Sequence, residues 1–96
     1  MEEGGAKSSI LGSPSVFPNP FANSTELRFE SDVDMQAQLN VFNVAGQAIH
    51  SQTIQVRKGQ NTIELNQLPN SEKGLLYYQL SNENAILSTG KMVRNQ

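Results

Sequence analysis

His50 is the only side chain in this 96-residue chain that titrates near neutrality without help from its surroundings, which makes it the first candidate for a general base. Acid–base catalysis needs a partner group and a third group to orient it. No second histidine exists to form a dyad or share a metal, and Ile49 and Ser51 point to the face of a strand opposite His50. His50 is therefore expected to be structural or solvent-facing. Cysteine is absent, which removes thiolate nucleophiles, thiolate metal sites and disulfides. Asp32 and Asp34, with Glu30 nearby, offer carboxylates to Ca²⁺, but the run lacks the glycine and the spaced oxygen ligands of a loop site and reads as a solvated connection. Asn23-Ser24-Thr25 fits the N-glycosylation pattern as a chance match. Tyr77 and Tyr78 are adjacent, so on a strand one packs inside and the other is left to stack against a sugar. Arg57-Lys58, and Lys91 with Arg94, are sparse basic points expected on the solvated surface. No catalytic, metal-ligating or cofactor-binding residue emerges, and no pair of titratable groups is set up for acid–base work, so no cofactor is expected and the chain is not read as an enzyme.

The elements that would position these residues are short. With 36% apolar and 17% charged side chains, the chain describes one small domain that buries roughly 60 to 70% of its unfolded surface. No apolar run approaches the ~20 residues of a membrane helix, so no membrane insertion is expected. Seven basic and nine acidic residues, without blocks, argue against nucleic acid as a partner. The opening Met1-Glu2-Glu3-Gly4-Gly5 lacks the basic start and apolar stretch of a secretory signal, and reads as the start of a piece excised from a longer protein.

Residues 1–15, rich in Gly and Ser, read as a flexible linker, and residues 16–96 as the folded domain. From Val16 onward, period-two runs alternate with Gly, Pro and Asn at intervals of about ten residues, the pattern of a β-sandwich of about seven antiparallel strands with helix close to absent. Alternation places Leu27, Phe29, Leu39, Val41, Ile63, Leu65, Leu76 and Leu80 in the core. Pro18 and Pro20 make a stiff corner flanked by Phe17 and Phe21, and Gly46 supplies a hairpin turn after Val44-Ala45. Ile49 falls on the opposite parity from Ile54 and Val56, which predicts a bulge or a change of facing sheet near residues 51–53. Residues 75–81 form the most apolar strand, expected to be central. A bend is expected at Gly90 in the last strand.

Read in order, Phe17-Pro18-Asn19-Pro20-Phe21, Val41-Phe42-Asn43-Val44-Ala45-Gly46, Gly59-Gln60-Asn61, Leu68-Pro69, Gly74 and Lys91-Met92-Val93 form a series. This series resembles the C-terminal sorting domains, of type A, carried by cargo of the type IX (Por) secretion system. In two places the chain departs from that pattern: Asn70-Ser71-Glu72-Lys73 stretch the usual Leu-Pro-x-Gly-x-Tyr, and Leu76 stands where its first Tyr belongs, while Tyr78 matches the second aromatic position. The resemblance implies an immunoglobulin-like sandwich acting as an address label. It implies as partners the translocon, a surface sortase and N-terminal cargo domains. It also implies transit through the periplasm to the cell surface or medium, with removal of the label from the mature cargo. Recognition is expected at two places. One is the terminal strand, with Lys91, Met92 and Val93, lying free as an edge for strand addition. The other is the pair of rigid protrusions formed by Pro18, Asn19 and Pro20 and by Ala45-Gly46, with Gly74 and Tyr78 carried along by the family motif. The alternative readings are a carbohydrate-binding or adhesive module, or an inert spacer of a multidomain secreted enzyme.

Overall fold

Alternating burial builds the molecule. In the computed structural model, which describes residues 9–95, seven strands follow one another: β1 (Ile10–Phe17), β2 (Thr25–Ser31), β3 (Met35–Phe42), β4 (Ala48–Val56), β5 (Gly59–Leu65), β6 (Gly74–Ser81) and β7 (Ile86–Arg94). No helix occurs among the described residues. Every strand pairing is antiparallel, in two sheets ordered β1-β2-β5 and β4-β3-β6-β7. The arrangement is an immunoglobulin-type sandwich in which the fourth strand pairs with the third instead of joining the first sheet.

Leu27, Phe29, Leu39, Val41, Leu65, Leu76 and Leu80 are buried between the sheets. Phe21, Ile54, Val56, Leu68, Tyr78 and Met92 join the same cluster. Ile63 is only half-buried, because β5 is an edge strand with a neighbour on one side alone. As its apolar run implies, β6 lies between β3 and β7.

Three features differ from the sequence expectation. The first strand begins at Ile10, inside the stretch read as linker: Ile10 and Leu11 pair with Ser31 and Glu30, a register shift follows, and pairing resumes at Ser15. That irregularity spans Gly12 and Pro14, which hid the strand from a reading based on alternation. The remainder of the expected linker, residues 1–8, and Gln96 lie outside the described residues. Second, the bulge in β4 falls at Ile49, since Val41 pairs with His50 and Phe42 with Ala48, so the parity change comes before Ser51. Third, Gly90 serves a close approach. It lies opposite Tyr78, and a Cβ there would overlap the Tyr78 ring, so the bare Cα is what lets the tyrosine cross β7 into the core.

The connections are closed by side chains. Asn43 accepts hydrogen bonds through Oδ1 from the backbone N–H groups of Ala45 (3.0 Å) and Gln47 (3.0 Å). Gly46 completes that hairpin with φ at 84°. Between sheets, Asn61 accepts from the Arg57 N–H (3.0 Å) and donates to the carbonyls of Arg57 (2.8 Å) and Gly59 (3.1 Å). Asp34 caps the Lys58 N–H at 2.7 Å, an ordinary loop-closing task for a residue considered as a calcium ligand. No cluster of metal-ligating side chains occurs among the described residues.

Candidate recognition site

Arg94 organises one end of the sandwich. The residue expected on the solvated surface is buried, at 5% exposure, because it shares the inward parity of Met92 on β7. A buried guanidinium must find acceptors for its donors. Nε donates to the Ala22 carbonyl at 2.9 Å, and Nη1 to the Pro69 carbonyl at 2.7 Å, with longer contacts to the carbonyls of Leu68 (3.4 Å) and Glu72 (3.5 Å). Nη2 reaches Asn70 Oδ1 at 3.4 Å, and the guanidinium carbon lies 5.8 Å from the centre of the Phe21 ring. Asn70 and Glu72 belong to the four residues that stretch the loop between Pro69 and Gly74. The insertion is therefore wrapped around the arginine instead of projecting from the fold.

Around this clamp the last strand is stitched to the proline corner. Asn19 Oδ1 accepts from the Val93 N–H at 2.8 Å, the Phe21 N–H donates to the Val93 carbonyl at 3.0 Å, and the Asn95 N–H donates to the Phe21 carbonyl at 2.6 Å. Phe21 and Arg94 form a parallel bridge. Thr25, buried beneath, donates its hydroxyl to the Pro18 carbonyl at 2.6 Å. Both prolines of the corner follow cis peptide bonds. The hairpin tip is tied to the same end, because Asn43 Nδ2 donates to Glu72 Oε1 at 3.3 Å.

The residues singled out from sequence thus separate into two groups. Pro18, Asn19, Pro20, Ala45, Gly46, Gly74, Lys91 and Val93 are exposed, and all but Lys91 lie on the segments that Arg94, Phe21 and Asn43 draw together. Gly74 pairs directly with Arg94 across β6 and β7. Tyr78 and Met92 are buried and present no side-chain surface to a docking protein; they act by packing. The end of β7 is also not a free edge, since Val93 and Asn95 already use their outward backbone groups on residues 19–21. Sequence reasoning passed over Arg94 and Phe21 as organisers. The signal was present in parity: with Met92 inward, Arg94 must be inward too.

The remaining candidates are quiet. His50 Nε2 lies 2.7 Å from Gln52 Oε1, with no carboxylate or hydroxyl arranged as a relay. Tyr78 titrates above its usual 10.0 because burial disfavours the phenolate, an effect that its hydrogen bond with Ser88 partly opposes. Glu26 and Arg28 form the one ion pair among the described residues, 2.8 Å apart and exposed, with Arg28 also lying over the Phe17 ring.

The comparisons follow the same line as the geometry. The family model described as the secretion system C-terminal sorting domain matches residues 15–95. No curated protein matches the chain. With that match running from the second half of β1 to just past the end of β7, the chain belongs to the C-terminal sorting domains of type IX secretion, a family of secretion tags for export to the cell surface or medium.

Proposed function

We propose that this domain directs a larger cargo protein across the outer membrane, with the type IX translocon reading its folded form at the corner built from residues 18–20 and the end of β7. The observation that carries this reading is the stitching of Asn19 and Phe21 to Val93 and Asn95, which merges two separate stretches of sequence into one exposed, rigid surface. The hairpin tip at Ala45-Gly46, tied through Glu72, extends that surface. After passage through the periplasm and outer membrane, a cell-surface sortase cuts on the N-terminal side of β1, so that no strand of the sandwich has to open for the protease. The label is removed, and the new carboxyl end of the cargo is joined to lipopolysaccharide.

The test is a periplasmic reporter fused ahead of the domain in a host with this system. The unaltered domain carries the reporter to the surface or medium; a folded fusion held in the periplasm overturns the reading. Removing residues 91–96 does not separate recognition from folding, because it takes Met92 out of the core and Arg94 out of its clamp. The informative variant is Asn19→Ala, which removes one exposed hydrogen bond worth about 0.5–1.5 kcal/mol and leaves the core intact. It is expected to lower export several-fold, on the order of the tenfold change that ~1.4 kcal/mol brings, while the domain still resists protease. Export at the normal level refutes the assignment of the corner.

A further inference from the structure

The two outer faces of the sandwich differ in chemistry. The β1-β2-β5 face carries Glu26, Glu30 and Glu64 around Arg28. The four strands of the other sheet contain no Asp or Glu at all, and its one exposed formal charge is Lys91. Register lays out the carboxylate-free face as two rows: Phe42, Tyr77 and Lys91 side by side across β3, β6 and β7, and Asn40, Gln79 and Thr89 in the row beside them. A depression of about 470 Å³ lies along all of these but Asn40, with Tyr78 and Gly90 completing its lining.

Polar groups on the two halves of this face are used differently. Over β3 and β4 they satisfy one another: Gln38 donates to Ser51 (2.7 Å), Ser51 to Asn40 (2.6 Å) and Thr53 to Gln38 (3.1 Å). Over β6 and β7, Tyr77, Gln79, Thr89 and Lys91 make no side-chain hydrogen bond among the described residues, although they surround the depression beside two aromatic rings. Unpaired amide, hydroxyl and ammonium groups beside a ring, with no carboxylate to repel or ion-pair, suit a ligand that is itself uncharged, flat and rich in hydroxyls. The surface lining the depression is mainly apolar, which suits the apolar face of a pyranose ring.

We propose that this half of the face binds a segment of neutral polysaccharide, one pyranose ring lying against Tyr77 beside Phe42, with its hydroxyls bonded by Gln79, Thr89 and Lys91. The site adjoins the corner at residues 18–20, since Thr89 and Lys91 also line the depression beside Asn19, so the test rests on Tyr77, which does not.

The ¹⁵N-labelled 96-residue chain is titrated with cellohexaose, mannohexaose and xylohexaose, following amide shifts. At least one is expected to bind with a Kd of roughly 1 mM or below, the range for a shallow site of this size. The shifts are confined to β6, β7 and the end of β3. Tyr77→Ala is expected to weaken binding at least about tenfold and Tyr77→Phe by no more than about threefold, while Thr53→Ala, on the self-paired half, leaves it unchanged. The same spectra show that each variant is folded. No shift with any of the three sugars, shifts on the acidic face, or binding indifferent to Tyr77→Ala overturns the proposal. Loss of export in Tyr77→Ala without sugar binding by the parent chain assigns the face to a protein partner and likewise overturns it.

Discussion

Arg94 shows how one side chain can hold together segments that are remote in sequence. Its donors go to backbone carbonyls on residues 22, 68, 69 and 72 and to the Asn70 side chain, so no smaller residue can replace them. Arg94→Ala takes the donor from the buried Leu68 carbonyl and the part-buried carbonyls of Ala22, Pro69 and Glu72, and is expected to cost about 2–4 kcal/mol, read as a lower urea midpoint at unchanged slope. Lysine carries the charge but not the fork, and Arg94→Lys is expected to recover less than half of that loss. Gly90 and Tyr78 form the second decisive pair. Gly90→Ala places a methyl group where the ring lies and is expected to destabilise by about 1–3 kcal/mol. Tyr78 also gives the fold an alkaline limit. Its folded-state pKa lies above the unfolded 10.0, so the unfolded chain loses this proton first as pH rises. The stability due to the protonated phenol is complete below that value and falls as pH climbs from 10.0 toward the folded pKa. Urea midpoints measured across that range are expected to decline more steeply for the parent chain than for Tyr78→Phe.

Among the elements, legibility followed the regularity of burial. The strands β2, β3 and β6 alternate cleanly, and their inward residues could be named from parity alone. Asn43 and Gly46 marked their hairpin by turn chemistry, and Asn43→Ala, which frees the N–H groups of Ala45 and Gln47, is expected to cost about 1–2 kcal/mol in a denaturant titration. The start of β1 was hidden because a register shift over Gly12 and Pro14 breaks the period. The bulge in β4 was legible as a parity conflict but not as a position, since pairing with β3 decides which residue is left over. The end organised by Arg94 was the least legible. Its hydrogen bonds join residues 19 and 93, 22 and 94, and 43 and 72, and no local pattern announces such partners. Treating Lys91, Met92 and Val93 as one exposed ending ignored the alternation that puts Met92 inside.

For the molecule as a whole, membership of a family of secretion tags puts the weight on a folded surface. Core integrity and surface reading are separable in principle: Leu80→Ala, at a site with no exposure, is expected to cost about 2–5 kcal/mol and to act only through folding, whereas Asn19→Ala acts at the surface. The joining of residues 19–21 to residues 93–95 has a further consequence for synthesis. The backbone of Phe21 finds its partners on Val93 and Asn95 only once β7 has emerged from the ribosome, so a chain stalled before Met92 carries an open corner. A tag built in this way reports on its own synthesis: only a polypeptide read through β7 can present a closed seal.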